Sequence, residues 1–469
     1  VKHREDRSVK KAKGDFPANP LDPPVLSKFA AHFDGRVILR GGHGYSRARR
    51  VWNHAVNSYP QLIAQCANAD DVVRSVDFSR RHNLVTAVRS GGHSFAGHGV
   101  CDGGMVIDLS LMKRAEIDPV NRKVTIQTGV LAGELDCLTQ AFKLAVPLGS
   151  CPSVGVAGYS LGGGEGCLTP KLGYGCDNLR RAEIVTADGK IHSASDHQNK
   201  DLFWAIRGAG ANFGVATKLE FQLHPIETVL SGHLKYPFRQ ARKVLKFLND
   251  YLLRVPSELF LIAAVLPYPG ERMLDVGVVW SGDPTKGERM LRPLRKFLRP
   301  VEDTIKLNAY LDEQRAGTGT PEDGDYSSHR RSGHLSRLST DALDVIDEFA
   351  SKPPSESSGI TLIYWHGPWS SKRHDNAFGF RRVGFEYWVH SYWQSVSEYQ
   401  RSWNWVERFF AALEPLSTGA VYVNGLENED EARVRAAYGE HYDRLSQIKS
   451  VYDPDNFFCV NQNIKPIGQ

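Results

Sequence analysis

Short apolar runs alternate with longer amphipathic ones through the first half of the chain. Residues 37–39, 84–88, 105–109, 123–128 and 182–186 are β-rich and bounded by Gly, Asn or Asp, which predicts strands. Between them, Val72, Val73, Val76 and Phe78 form an apolar stripe that predicts a helix over 69–81. Leu131, Leu135, Leu138, Ala141 and Phe142 predict a second helix over 131–144. The order lacks a clean βαβαβ repeat, so a doubly wound Rossmann sheet is not expected.

From Pro225 the texture changes. Ala241, Val244, Leu245, Leu248 and Leu252 predict a helix over 238–253, followed by apolar strands at 259–266 and 274–280 and a helix through Met290, Leu291, Leu294 and Phe297. Residues 316–335 are polar and Gly-rich and read as a long loop. Ser339 then caps a helix through Leu343, Ile346 and Phe349. Residues 381–392 alternate as a strand, with Gly384, Glu386, Trp388, His390 and Tyr392 on one face and Phe385, Tyr387, Val389 and Ser391 on the other. This succession suits an antiparallel sheet backed by helices, and the fold class is α+β.

Composition narrows the class. At 469 residues the chain exceeds one ordinary core, so two or three domains are expected. Hydrophobic content of 41% and charged content of 24% describe a soluble globular protein. The net charge of +5 is small, and part of it lies in the basic first 14 residues, which read as a solvated end rather than a nucleic-acid arm. No run reaches the roughly 18 apolar residues of a membrane span. Neither a nucleic-acid partner nor a membrane is therefore expected, and both a secreted and a cytoplasmic location fit. The seven cysteines lack C-x-x-C or zinc-ligand spacing, so no metal is expected and free thiols are favoured over disulfides.

Two segments carry the chemistry. Arg89-Ser90-Gly91-Gly92-His93-Ser94 and Leu148-Gly149-Ser150-Cys151-Pro152-Ser153-Val154-Gly155 each place a nucleophile beside small residues that let the backbone approach a flat ligand. A glycine-rich run follows, with Gly155, Gly158, Gly162, Gly163, Gly164 and Gly166, able to present backbone amides to an anion. It ends near Asp177 and Asn178. Asn212-Phe213-Gly214-Val215 comes later, and Tyr452-Asp-Pro-Asp-Asn-Phe-Phe458 leads into Asn461-Gln462-Asn463. Together these motifs resemble the FAD-linked oxidases of the vanillyl-alcohol-oxidase superfamily, and within it the berberine-bridge-enzyme-like group, over about residues 33–225 and 420–466.

The resemblance implies a PCMH-type FAD-binding domain of two α/β subdomains (1–225), an inserted substrate domain (226–415) and a C-terminal segment (416–469) returning to the first. In bicovalent members the matching histidine bonds the flavin 8-methyl carbon and the matching cysteine ring position 6, which points to His93 and Cys151. Arg89, Ser90, Gly91, Gly92, Ser94, Gly155, Gly158, Gly163, Gly164, Gly166, Asp177, Asn178, Gly214, Val215, Asn461 and Asn463 are implied around the cofactor. Hydride transfer from an alcohol needs a base for the hydroxyl proton. The family's Tyr-x-Asn-Tyr element reads Tyr422-Val423-Asn424-Gly425 here, so the second tyrosine, often assigned as the base, is a glycine. Glu386 and His390 are the substitutes on the 381–392 strand, with Tyr422 retained. Arg381, Trp388, Tyr392, Trp365 and Trp369 are candidates to line the substrate site. Tyr159 replaces a frequent histidine, and beside it the small Ser160 is compatible with oxygen access. The expected function is oxidation of a hydroxyl or activated C–H of a sugar or natural product, with dioxygen as acceptor, in a monomer or homodimer. A dehydrogenase with another acceptor, and a non-catalytic flavin-binding protein, are the alternatives.

Overall fold

Asn68 accepts the Asp71 amide and so starts the helix Ala69–Arg81, whose Val72, Val76 and Phe78 are buried. Each such aliphatic side chain contributes about 1.5–3 kcal/mol by leaving water. The structure is a computed structural model and describes residues 21–268, 271–316, 326–370 and 375–469. The basic residues 1–14 and part of the predicted polar loop, 317–325, lie outside the described residues.

Strands β1 (Arg36–Leu39), β2 (Leu62–Gln65), β3 (Thr86–Arg89) and β4 (Met105–Asp108) form a sheet in the order β1-β2-β4-β3, parallel except for β1. An antiparallel sheet follows, built from β5 (Ala115–Asp118), β6 (Lys123–Gln127), β8 (Leu179–Val185), β9 (Ile191–Ser195) and β10 (Val215–Gln222), in the order β5-β6-β10-β8-β9. Between them, β7 (Leu144–Ala145) pairs with β11 (His224–Pro225). These sheets are the cores of two mixed subdomains, in agreement with the expected class. The second predicted helix is shorter than its apolar pattern. It runs Ala132–Gln140, and Phe142 is 48% exposed. The chain must turn at Lys143, whose φ is +58°, to deliver β7 to β11.

The remaining strands make one antiparallel sheet: β12 (Thr228–Pro237), β13 (Leu259–Tyr268), β14 (Glu271–Trp280), β15 (Glu302–Asp303), β16 (Lys306–Ala309), β17 (Ser327–Leu335), β18 (Ser358–Trp365) and β19 (Gly384–Trp393). Its order is β15-β12-β14-β13-β18-β19-β17, with β16 also on β12. Helices Phe238–Leu252, Pro284–Phe297, Thr340–Ser351 and Val396–Leu413 cover one face through Leu245, Leu294, Ile346 and Phe409. Ser339 accepts the Ala342 amide as predicted. The other face carries Glu386, Trp388 and His390, as the alternation in β19 requires.

Two boundaries differ from expectation. Residues 327–335 are not loop but the edge strand β17, in register with β19 from Ser327↔Trp393 to Leu335↔Phe385. Their polarity misleads because ion pairs, not apolar contacts, bury them. His329 lies between Glu407 (2.6 Å) and Glu427 (2.7 Å) and stacks on Trp403 at 3.6 Å, while Arg331 pairs with Glu407 and Glu429. The last predicted strand starts at Gly384, leaving Arg381 outside it.

The C-terminal segment is tied to Asn212 through a buried cation. Lys449 is 0% exposed and its Nζ donates to Asp453 Oδ2 (2.6 Å), the Asn212 carbonyl (2.7 Å) and the Phe458 carbonyl (3.0 Å). Among the described residues none of the seven cysteines is in a disulfide, and no helix is long and apolar enough to cross a membrane.

Candidate active site

The two nucleophile-bearing segments meet backbone to backbone. A Cβ on Gly91 would lie 2.2 Å from the Gly155 nitrogen, and one on Gly155 would lie 2.4 Å from the Gly91 nitrogen. No side chain fits at either position, so the glycines let the segments touch. His93 and Cys151 are thereby held on neighbouring turns. The Ser90 hydroxyl donates to the Thr128 carbonyl at 2.6 Å and ties this contact to the end of β6. His93 stacks on Trp52 at 5.6 Å. Burial, and then Arg330, lower its pKa to about 4, which leaves a neutral imidazole with a free lone pair. Cys151 is half-buried, with its Sγ 3.6 Å from the Ser153 hydroxyl.

The glycine-rich run wraps the other side. Gly155 precedes the short helix Val156–Leu161, and Gly158 on that helix has open space where a Cβ would stand. Gly163, at φ +125°, would drive a Cβ into the Phe378 and Tyr422 rings. The Gly164 amide donates to the Tyr422 hydroxyl at 3.0 Å, and Asn424 Nδ2 donates to it at 2.8 Å. Gly166 packs on the Leu148 carbonyl. Asn461 and Asn463 each keep a buried side-chain oxygen without a partner among the described residues. Orphaned buried acceptors fit a ligand with N–H and O–H donors, as FAD has.

Several residues expected at the cofactor are committed elsewhere. Arg89 pairs with Asp108 at 2.7 Å, buried on both sides. Asp177 accepts from both guanidinium nitrogens of Arg381, from Asn376 at 2.7 Å and from the Tyr174 amide at 3.0 Å. Arg381 is thus an internal ion-pair partner. Asn178 donates to the Leu172 and Tyr174 carbonyls and bonds His224 at 2.6 Å. Gly214, at φ +151°, leads into β10, where Val215 is buried in a core. Ser94 accepts the His98 amide.

Of the three candidate bases, Glu386 has the geometry. Only 1% exposed, it receives the Trp365 indole N–H on Oε2 at 2.6 Å, and its carboxyl also meets Glu165 and Trp388. Burial raises its pKa far above the usual carboxylate range, against the pull of its hydrogen bonds. Burial likewise raises the Tyr422 phenol well above its ordinary value, so it stays protonated. His390 lies opposite Arg330 across the strands and is held down to about 3 by burial and then by that arginine. Tyr392 accepts from Arg330 at 3.1 Å, and Trp369 packs on Tyr174 at 5.1 Å. Glu165 escaped notice in the sequence. It stands inside the glycine run, 9% exposed, with its carboxyl hydrogen-bonded to that of Glu386. An acid within Gly162-Gly163-Gly164-Glu165-Gly166 was the available signal.

Gly425 is not a void left by a lost tyrosine. A Cβ there would lie 2.7 Å from Ser332 Oγ and 2.8 Å from the Trp388 ring. Trp388 occupies that volume, so Gly425→Tyr is expected to cost about 1–3 kcal/mol by overpacking, read as a lower thermal midpoint. An unchanged midpoint would show that the indole can move aside.

A family model described as FAD binding domain matches residues 60–195, and one described as berberine and berberine like matches 421–465. An FAD-linked oxidoreductase of Dictyostelium discoideum is 31% identical over 448 residues, covering 94% of this chain and 97% of its own. The (R)-6-hydroxynicotine oxidase of Paenarthrobacter nicotinovorans is 32% identical over 456 residues, covering 92% and 97%. The crystal structure of 6-hydroxy-D-nicotine oxidase from Arthrobacter nicotinovorans superposes with a TM-score of 0.85 at 29% identity, over 92% of this chain and 98% of that one.

Proposed function

The chain belongs to the berberine-bridge-like FAD-linked oxidoreductases, and from that premise we propose that it is an oxidase of a hydroxyl or similarly activated C–H in a sugar or natural product, with Glu386 as the base. The observation that carries the reading is the buried Glu386 carboxyl, oriented by the Trp365 indole and set against the Glu165 carboxyl. FAD, when bound, supplies the two-electron acceptor, and dioxygen is the proposed oxidant that returns it, giving peroxide. Glu386 takes the substrate proton. Trp365 holds that carboxyl in place, and the phenol of Tyr422, fixed by Gly164 and Asn424, forms a wall. Aromatic surroundings exclude water, which strengthens each of these interactions.

His93 and Cys151 are proposed as covalent tethers. The neutral imidazole of His93 and the side-by-side placement of the two segments support this. After acid precipitation, mass analysis of flavin-bearing peptides is expected to find one FAD joined to both residues. Flavin free in the supernatant would defeat the assignment. Cys151→Ala is expected to retain a singly attached flavin. Mixing with candidate substrates without air tests the oxidase reading: bleaching of the flavin followed by fast recovery and peroxide on admitting oxygen is the expected result. Slow recovery in air, with fast recovery on an artificial acceptor, would favour a dehydrogenase.

A further inference from the structure

Glu165 and Glu386 converge on one space from different domains, the first from the glycine-rich run and the second from β19. The two carboxyls hydrogen-bond to each other, and each is deeply buried. No described lysine or arginine pairs with either. Arg381 is spent on Asp177, and Arg330 lies opposite His390, about four residues or ~13 Å along β19 from Glu386. The cross-strand neighbour of Glu386 is His334, which burial keeps neutral, with a pKa lowered to about 4. Around the pair stand Trp365, Trp388, Tyr174, Phe378 and Tyr422. Tyr174 is fully buried, its hydroxyl has no partner among the described residues, and it lies within electrostatic range of both carboxyls. Two like charges in such a dry site cannot both ionise, so the pair keeps a proton until a cation arrives.

Two acids without a cation, inside aromatic walls, match one ligand class. A protonated amine neutralises a carboxylate and presents its N–H groups as donors, while the ring faces attract its charge. An alcohol or ether supplies no such compensation. We propose that the substrate is an amine, bound as its ammonium ion between Glu165 and Glu386, and oxidised at the carbon attached to nitrogen. This rests on Glu386 as the base and narrows the activated C–H to one beside nitrogen. The N–H proton would pass to the carboxyl pair, and FAD, when bound, would accept the hydride of the adjacent carbon with its two electrons. The iminium ion that remains is hydrolysed by water to a carbonyl compound and an amine.

The test uses the flavin-loaded chain and matched nitrogen and oxygen compounds: 4-phenylpiperidine against 4-phenyltetrahydropyran, and N-methylbenzylamine against benzyl methyl ether. Binding is read from perturbation of the flavin spectrum and by calorimetry. In at least one pair the amine is expected to bind at least about tenfold tighter, the discrimination a charge-assisted hydrogen bond confers. Glu165→Gln is expected to bring that ratio within about threefold of one, at unchanged flavin content. Ratios within threefold of one for both pairs in the unaltered chain, including no binding of either amine, would overturn the proposal, even if Glu165→Gln fails to fold. An intact ratio in a folded Glu165→Gln variant would also overturn it. Bleaching of the flavin by an alcohol or sugar but by neither amine would overturn it while leaving the oxidase reading in place. If no compound bleaches the flavin, the oxidase reading fails instead, and the binding ratios still decide the amine site.

Discussion

Replacing Glu386 by Gln is expected to slow reduction of the flavin by about 10²- to 10⁴-fold, the range spanned by loss of a positioned general base. The substitution keeps the side chain's size and lets the amide oxygen still accept from Trp365, so the loss isolates proton acceptance from packing. The sign of the pH dependence follows from burial, which raises the Glu386 pKa above that of an exposed carboxyl. Below that raised value the group carries its proton and cannot take another, so the rate should fall as pH falls through it. Above it the carboxylate is available and the rate levels off. Rapid mixing without air across pH 5–9 reads both effects, with the acid limb expected to vanish in the variant. A Gln variant within about threefold of the original rate would remove Glu386 from the chemistry and return attention to Tyr422.

Lys449→Met is expected to destabilise the protein by about 3–5 kcal/mol, because removing one partner of a buried pair strands the other charge. Asp453 would remain fully buried, still accepting the Phe457 and Phe458 amides at 2.7 and 2.9 Å but without its cation. The Asn212 and Phe458 carbonyls would lose a donor as well. Denaturant unfolding measures the loss, and adding Asp453→Asn should recover part of it, since the second change removes the stranded charge. A loss below about 1 kcal/mol would mean that water enters and solvates Asp453. The same pair anchors the turn preceding Asn461 and Asn463, so the variant should also bind FAD less tightly at equal folded fraction.

Periodicity was a sound guide where one face of an element meets apolar neighbours. The stripe of Ala69–Arg81 and the alternation of β19 both place their buried residues as expected. It failed at β17, where His329 and Arg331 enter the interior paired with Glu407, Glu427 and Glu429 from segments about 80–100 residues away. A charge reads as exposed until its partner is known. The same blindness touched Asp177 and Arg381, 204 residues apart, whose ion pair the sequence does not reveal. Glu165 went unnoticed for the opposite reason: its significance comes from Glu386, on a different domain.

Order along the chain was enough to establish the flavoprotein family, the α+β class and the two segments that bear His93 and Cys151. Those properties are local, because glycines, nucleophiles and apolar spacing act over a few neighbouring residues. Which acid serves as the base, which arginine is already neutralised, and why Gly425 leaves no hole were decided only when the chain folded. Each depends on pairs brought together across domains, where burial sets the charge state of a group and its neighbour's shape sets the space left to it.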